Sequence, residues 1–308
     1  MTHPYAGLRY AATLAHVGRA IWVEPWDATM LLREAPGGAV DAAGPHPFGA
    51  LGEAADLCGG LEALRAAGAV SAVLVADPFH GPAPDRLRAA FDIVAPFKTH
   101  LTVEPRAGAF APSAHHRGCI RLAERRCRVR QAALRDHLDE WCRLYGELTR
   151  RHGITGTHDY PRASFVALAE TEGLHGFLAE GAAGEVIGMH LWIDDGRVAY
   201  SHLAATDAAG YRAGAPYALH AAAIAHFAGR EAIDLGGGAG LADDAADGLA
   251  AFKRGFANAS RVAHLCGRVL DGAAYARLSA GREERGYFPA YRAPRLSARP
   301  PAPRAGFP

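Results

Sequence analysis

The residues best suited to chemistry lie late in the chain, between positions 231 and 256. Residues 232–235 are apolar and bounded by glycine, which predicts a short buried strand. Residues 236–238 are three glycines, so the backbone can turn sharply or approach a ligand closely where that strand ends. Helical spacing then predicts one apolar face made of Leu249, Phe252 and Phe256. Lys253 lies beside that face, and a fixed cation there could stabilise negative charge that develops on a carbonyl oxygen.

Residues 234–240 resemble the nucleotide-binding glycine loop of methyltransferases that use S-adenosylmethionine. Such a loop normally follows the first strand of a doubly wound domain, with several strand–helix units still to come. Here only one helix, one strand near residues 261–269 and a tail rich in proline and arginine follow. The remaining chain could not complete a parallel sheet, so the methyltransferase interpretation is disfavoured.

A second resemblance covers residues 130–278, whose order of elements is similar to the C-terminal domain of Fem-type peptidoglycan-bridge aminoacyltransferases, bacterial relatives of the GNAT acetyltransferase superfamily. Its most recognisable piece is the run from Phe252 through Lys253 and Arg254 to Phe256. Further segments resemble parts of the same family: 41–49, 116–123, 184–188 and 200–207. The resemblance implies an α/β fold with mixed sheets, built as tandem GNAT-like acyltransferase domains. The expected division is a degenerate N-terminal GNAT-like domain (1–128), a C-terminal GNAT-like acyltransferase domain (129–280) and a flexible Pro/Arg-rich tail (281–308).

The family implies an N-acyltransferase that forms an amide bond on an amine acceptor, either a small molecule or a peptide. The donor would be a cosubstrate, aminoacyl-tRNA or acyl-CoA, and no tightly bound cofactor is expected. Two alternatives stay open, namely an N-acetyltransferase that depends on acyl-CoA and a noncatalytic binding protein of the same fold.

Candidate site residues follow from this resemblance and from the predicted strands. In Fem-type enzymes the lysine that follows the phenylalanine of this motif stabilises developing negative charge. The resemblance therefore implies that role for Lys253. His202 is the second candidate catalytic residue, as a base. The candidates for substrate binding are Phe252, Arg254, Tyr200, His190, Trp192 and Tyr217. The candidates for donor binding are Arg212 and Gly214.

The donor can be argued from the segment 211–216. GNAT enzymes that use acyl-CoA usually carry Gln or Arg, two residues, Gly, one residue, then Gly or Ala, so that successive N–H groups cradle pyrophosphate. Here Tyr211 replaces the first polar residue, and Pro216 has no N–H to offer. We therefore expect aminoacyl-tRNA rather than acyl-CoA, with arginines around 117–128 and 150–151 as candidate phosphate contacts.

The elements that must position these residues can be read from the apolar periodicity. Strands are predicted at 31–33, 69–76, 97–103, 174–180, 186–194 and 197–206, and helices at 53–67, 84–91, 116–127, 134–152 and 215–228. A loop is predicted over 207–214, and the strand at 232–235 should lie parallel to the strand that ends at 206. On that strand Tyr200, His202 and Ala204 should share one face.

Composition bounds the remaining classes. At 308 residues, 50% hydrophobic and a net charge of +1, the chain can bury a large core and is unlike a protein that coats nucleic acid. Five scattered cysteines include no Cys-x-x-Cys pair, and His115, His116 and Cys119 alone do not make a metal site. No run approaches the ~20 apolar residues that span a bilayer, and the N-terminus lacks a signal sequence. We expect a cytoplasmic protein with no membrane span and no bound metal.

Overall fold

One mixed β-sheet runs through the protein, whose computed structural model describes residues 3–108, 110–240, 247–282 and 287–293. The strands formed by these residues are β1 (Arg19–Val23), β2 (Ala28–Glu34), β3 (Val40–Ala43), β4 (Ala69–Ala76), β5 (Ile93–Val103), β6 (Arg128–Gln131), β7 (Leu174–Glu180), β8 (Val186–Asp194), β9 (Val198–Thr206), β10 (Ala232–Gly236) and β11 (Ala259–Val269). The helices are α1 (Leu8–Ala12), α2 (Leu57–Ala66), α3 (Pro84–Ala90), α4 (Ala114–Ala123), α5 (Leu138–His152), α6 (Arg162–Ala169), α7 (Ala208–Ala213), α8 (Ala215–His226), α9 (Gly248–Arg254) and α10 (Gly272–Ser279). The expected α/β class with a mixed sheet is confirmed.

The two halves of the chain share this sheet. Strand β11 lies between β4 and β5 and pairs antiparallel with both. Strand β5 also pairs antiparallel with β10, which runs parallel to β9. Helix α4, which precedes residue 128, packs on α8 of the second half. The halves are therefore joined by strand pairing, and the domain boundaries at 128 and 280 stay a prediction.

Most of the predicted elements are confirmed, with one exception next to β9. Residues 207–214, expected as a loop, contain the helix α7. Asp207 caps it by accepting a hydrogen bond from the Gly210 N–H (2.8 Å), and Gly214 ends it with a left-handed φ of 79°. A helix of six residues is too short to show an apolar period. Only the N-cap residue and the terminal glycine could have predicted it from the sequence. Among the described helices, none has the length and apolar character needed to cross a membrane.

A β-bulge in β9 changes the direction of its side chains. Leu191 pairs with Leu203 and Trp192 pairs with Ser201, so His202 is the extra residue between them. Tyr200 before the bulge and Leu203 after it pack on the same side of the sheet. The expectation that Ala204 shares a face with Tyr200 and His202 is therefore wrong, because the bulge shifts the alternation by one residue.

Strands β9 and β10 diverge after a short pairing. Their parallel register covers only Val198 to Tyr200 on β9, opposite Ala232 to Asp234 on β10. Strand β9 continues to Thr206, while β10 ends at Gly236 and shifts register against β5 after Asp234. The second half of β9 is therefore not paired with the glycine loop.

The expectation that residues 281–308 form a flexible tail is wrong for residues 287–293. Tyr291 is 1% exposed, and its hydroxyl lies 2.7 Å from the Ser71 hydroxyl and donates to Asp41 (3.2 Å). Phe288 stacks on Tyr275. The tail's proline and arginine content suggested solvation, but its aromatic residues supply enough apolar surface to pack on the sheet. Residues 283–286 and 294–308 lie outside the described residues.

We predict that Tyr291→Ala lowers the free energy of unfolding by about 3 kcal/mol, because it removes a buried aromatic ring. Tyr291→Phe keeps the ring and should cost about 1 kcal/mol, since Ser71 and Asp41 lose a hydrogen-bond partner. Urea denaturation followed by circular dichroism measures both. The control is Tyr287→Ala, whose side chain is exposed. Wild-type stability of Tyr291→Ala would show that this segment is not packed.

Candidate active site

Four titratable side chains lie near the point where β9 and β10 diverge, and we call the region that they surround the central recess: His46, His100, His202 and Lys253. His46 lies within electrostatic range of both His100 and His202. The buried His190 lies within range of both His202 and Lys253. The recess therefore draws residues from both halves of the chain.

Two histidines of the recess, His46 and His202, contact solvent although protein surrounds most of each imidazole. His46 is exposed and His202 is half-buried, yet burial lowers the pKa of each imidazole to about 3. A side chain that touches solvent but is surrounded by enough protein to disfavour its charge must line an indentation rather than an outer surface. Both imidazoles are therefore neutral at pH 7.

Lys253 is the cation of this recess. Its ammonium donates a hydrogen bond to the carbonyl of Gly237 (2.7 Å). Burial lowers the pKa of Lys253 to about 8, although the negative charges of Asp234 and Asp247 oppose the shift. About nine in ten molecules would carry the charge at pH 7. Asp247 also caps α9 by accepting from the Ala250 N–H (3.0 Å), which fixes the helix that presents the lysine.

The glycine loop makes room for this lysine. Gly236 has a left-handed φ of 78°, and a Cβ there would lie 3.0 Å from Lys253 Nζ. A Cβ on Gly238 would lie only 2.6 Å from Asp247 Oδ2, which accepts the Ala239 N–H. Gly236 and Gly238 are therefore explained by the close approach of the loop to α9, and Gly237 by its approach to the Thr99 carbonyl of β5 (3.3 Å from an added Cβ).

The chain has only two lysines among its 33 basic residues, and both meet at the glycine loop. The ammonium of Lys98, on β5, lies 3.5 Å from the Ala239 carbonyl. Its positive charge contributes to lowering the pKa of Lys253. Every other Lys or Arg position of the chain is arginine, so the site holds both ammonium side chains of the sequence.

A buried histidine–aspartate pair lies beside this loop. His100 Nδ1 is 2.9 Å from Asp234 Oδ2, and both residues are less than 10% exposed. Asp234 also accepts the Gly236 N–H (2.8 Å). The carboxylate thus orients the imidazole, holds the start of the glycine loop and supports the charge on Lys253.

His202, the predicted base, is held by the first half of the chain. Its Nδ1 lies 3.2 Å from the hydroxyl of Tyr5. An imidazole whose pKa is near 3 accepts protons weakly at neutral pH, where the best general bases have pKa values near the working pH. The position fits a hydrogen-bonding role, and catalysis by His202 stays a prediction.

The other candidate side chains lie behind Lys253 or away from it. His190 and Trp192 are completely buried next to α8, and His190 Nε2 lies 2.8 Å from the Ser201 hydroxyl. Phe252 packs against Tyr217, with ring centroids 5.0 Å apart. Two candidates point elsewhere, since Arg254 is exposed and the Tyr200 hydroxyl donates to Asp77 (3.2 Å). The structure thus brings His202 and Lys253 to one recess, while substrate binding by the remaining side chains stays a prediction.

Within the described ranges, no three His, Cys, Asp or Glu side chains are arranged to hold a metal ion. His115 and Cys119 form only a pair, with Nε2 and Sγ 3.5 Å apart. Their companion His116 instead packs on α9, where its Nε2 donates to the Phe252 carbonyl (2.9 Å). These contacts assign His116 to helix packing.

Solved structures with the same fold include FemX, which is 14% identical (TM-score 0.63) over 88% of this chain and 93% of its own. The C-terminal domain of an Agrobacterium fabrum protein described as a lysylphosphatidylglycerol synthetase is 17% identical (TM-score 0.61; 87% and 89% covered). L-PGS from Bacillus licheniformis is 12% identical (TM-score 0.56; 87% and 93% covered). At these identities the likeness concerns the fold. A comparison with curated proteins gave no match.

The sequence of residues 113–254 matches the family described as the acetyltransferase (GNAT) domain. This segment runs from the N-cap of α4 to the last residue of α9, so it contains the diverging strands and Lys253. Residues 113–254 thus resemble a GNAT acetyltransferase domain, and most of the chain shares its fold with FemX. The resemblance stated from the sequence is confirmed by the GNAT domain match and by the shared fold.

In this GNAT domain, the segment between β9 and α8 offers few free backbone donors. The Gly214 N–H donates to the Tyr211 carbonyl (3.1 Å), and the Tyr217 N–H donates to the Gly214 carbonyl (3.0 Å). Pro216 has no N–H. Three of the four positions from 214 to 217 therefore have no N–H available for a phosphate.

Arginine side chains surround the same segment. Arg212 is exposed, and its carbonyl accepts from Arg126 (3.1 Å). Arg151 lies over the Tyr211 ring, 4.8 Å from its centroid, and donates to the Thr206 carbonyl (3.3 Å). Three arginines, Arg126, Arg151 and Arg212, thus lie around the C-terminal end of β9 and α7.

Sequence reasoning missed His46, Lys98 and the pair formed by His100 and Asp234. Residues 98–100 lie in a strand that was predicted, and Asp234 is two residues before the first glycine of the loop. No local spacing connects residues 134 positions apart in the chain, however. Only the pairing of β5 with β10 reveals that they meet.

We predict that Lys253 titrates near pH 8 and that its pKa rises in Lys98→Met, because a neighbouring positive charge is removed. Asp234→Asn should lower it, because a supporting negative charge is removed. Lysine-selective isotope labelling gives two side-chain signals, and NMR across pH 6–11 follows them. Lys98→Arg keeps the charge and leaves Lys253 as the single lysine, which assigns the signal. A Lys253 pKa near 10.4 in every variant would contradict the enclosed recess.

Proposed function

We propose that this acyltransferase forms an amide bond by moving an aminoacyl group from aminoacyl-tRNA to the amine of a small-molecule or peptide acceptor. The observation that carries the proposal is the ammonium of Lys253, fixed on the glycine loop where β9 and β10 diverge. Because those strands are not paired beyond Tyr200, the reacting groups are placed beside this cation in the central recess.

The chemistry asks for charge stabilisation and positioning. The amine nitrogen attacks the ester carbonyl, and negative charge collects on the carbonyl oxygen. The ester C–O bond then breaks, and the leaving ribose oxygen takes up the proton that the amine loses. Lys253 serves as the donor to the oxyanion, and the recess holds amine and ester together, which lowers the entropic part of the barrier.

The choice of aminoacyl-tRNA over acyl-CoA rests on the segment before α8. A pyrophosphate cradle needs successive free N–H groups at a helix N-terminus. Gly214 and Tyr217 use theirs within the turn, and Pro216 has none. The blocked turn supports a donor that is not gripped there by a pyrophosphate.

The surrounding arginines suit a polyanionic donor. Arg126, Arg151 and Arg212 lie around the C-terminal end of β9 and α7. Guanidinium groups bind phosphate through paired N–H donors, and several of them give binding that weakens with salt. This arrangement supports Arg212 as a donor-binding residue, with Arg126 and Arg151 as its neighbours.

We predict that Lys253→Met lowers the transfer rate by about 10²-fold or more, as for the loss of an oxyanion donor. Methionine keeps most of the apolar stem, so folding should survive, and thermal unfolding checks this. Arg135→Met, on an exposed residue remote from the recess, is the control. Near-normal turnover of folded Lys253→Met would remove the lysine from the mechanism.

The donor is tested by titrating the protein with charged tRNA and with acetyl-CoA and following transfer to a panel of amines. We expect saturable, RNase-sensitive transfer from charged tRNA only. Transfer from acetyl-CoA alone would establish an acyl-CoA-dependent N-acetyltransferase instead. Binding of amines without transfer from either donor would favour a noncatalytic binding protein.

The pH profile separates two roles of the lysine. If Lys253 acts as a cation, activity should fall as pH rises through about 8, because its ammonium loses a proton there. A lysine acting as a general base would give the opposite limb, with activity rising through the same pH. Lys98→Met should move this limb to higher pH, and an unmoved limb would assign it to another group.

A further inference from the structure

A cavity of about 600 Å³ opens beside the N-terminal end of β9, at the opposite end of that strand from Arg151 and Arg212. It is lined by the first half of the chain together with the turn between β8 and β9. Its volume lies in the range of small-molecule sites. Three buried rings, those of Tyr5, Phe48 and Tyr200, stand between it and the central recess.

Five polar side chains converge at one wall of this cavity. The Tyr200 hydroxyl lies 3.2 Å from both His3 Nε2 and Asp77 Oδ2, and 3.5 Å from Asp195 Oδ2. His80 Nε2 lies 3.1 Å from Asp195 Oδ2. Neither the acyl-transfer step nor the sheet contacts described above use this cluster.

The cluster carries net negative charge at neutral pH. Burial would raise the pKa of Asp195, but hydrogen bonds led by His80 hold it at about 2. Burial raises the pKa of Asp77 to about 6 and lowers that of His3 to about 4, so Asp77 is largely ionised at pH 7 while His3 is neutral. The hydrogen bond to Asp195 raises the pKa of His80, which offsets one of the two carboxylates.

Asp77 is thus a carboxylate without a full counter-charge. Its side chain is 1% exposed and accepts from the Phe79 N–H (2.9 Å) and from Tyr200. The nearer imidazole, that of His3 (3.7 Å), is neutral. A buried carboxylate in that state is costly unless a cation joins it.

The rest of the lining extends the same sign of charge. Asp27 and Glu53 also face the cavity, and its single arginine, Arg197, is neutralised by a bidentate pair with Glu231 (2.9 Å twice). The ring of Phe79 supplies an apolar wall whose face can attract a cation. An anionic ligand would meet repulsion from four carboxylates, those of Asp27, Glu53, Asp77 and Asp195.

We propose that this cavity binds an organic cation, a primary or quaternary ammonium group whose counter-charge comes from Asp77 and Asp195. A metal ion fits less well, because the Tyr200 hydroxyl lies between the carboxylates and His3, and no metal-holding group of side chains occurs in the described residues. The site stands apart from the acyl-transfer chemistry, since buried aromatic rings separate it from Lys253.

The test is ligand binding without any acyl donor, so its outcome is independent of the proposed function. Putrescine and choline serve as primary and quaternary ammonium probes, and glutarate serves as the anionic counterpart. Saturation-transfer NMR and calorimetry measure affinity for the wild type, Asp77→Asn, Asp195→Asn and the control Glu62→Gln, an exposed carboxylate outside the cavity. Thermal unfolding checks each variant, and Glu53→Gln replaces Asp77→Asn if that variant does not fold.

We expect putrescine, choline or both to bind with a Kd on the order of 1 mM or tighter, and glutarate not to bind. Each cavity variant should weaken binding at least tenfold, with Glu62→Gln unchanged. Binding should also weaken as pH falls through about 6, because Asp77 is neutralised there; His3, His80, Asp195, Tyr200 and Asp234 are the other groups that face it. The proposal would be overturned if neither cation bound saturably up to about 20 mM. It would also be overturned if Asp77→Asn and Asp195→Asn bound the cations as tightly as the wild type does.

Discussion

The partial burial of one ammonium group is the constraint around which this structure is organised. Removing a charged amine from water is unfavourable, and the lowered pKa of Lys253 reflects that cost. The Gly237 carbonyl, Asp234 and Asp247 offset part of it. These groups can gather only because the loop has no Cβ atoms where α9 approaches it. The glycine run, which resembles a nucleotide-binding loop, accommodates and hydrogen-bonds the ammonium group of Lys253.

Strand pairing between the two halves of the chain supplies the remaining residues around Lys253. Strand β5 brings Lys98 and His100 to the glycine loop because it pairs with β10, and β11 holds β5 in place from its other edge. Asp234 lies opposite Thr102 in this register, close enough for His100 to reach its carboxylate. A slip of one residue would turn these side chains to the other face of the sheet. The recess is therefore a property of the whole sheet, although the GNAT family match begins at residue 113.

Local sequence patterns predicted most secondary-structure elements, but they did not predict the tertiary contacts between them. The strands β7 and β8 begin and end where the alternation of apolar residues predicts, and Lys253 was identified from its motif. The pairing of His100 with Asp234 depends on long-range register, which no spacing along the chain encodes. The bulge at His202 is likewise a two-strand feature, invisible in β9 alone. The proline and arginine content around Tyr291 indicated solvation, whereas the burial of Phe288 and Tyr291 depends on long-range contacts that composition does not show.

The acidic cavity and the central recess, which holds Lys253, lie on either side of one layer of aromatic rings. Tyr200 reaches the acidic cavity and His202 the central recess, although they are two residues apart on β9. The layer does not insulate them, because charges interact strongly across apolar groups that exclude water. Asp234, which supports the ammonium of Lys253, also raises the pKa of Asp77 in the cavity. A cation that neutralised Asp77 would in turn ease the repulsion on Asp234, so charge brought to the cavity is felt at the carboxylate that keeps Lys253 protonated.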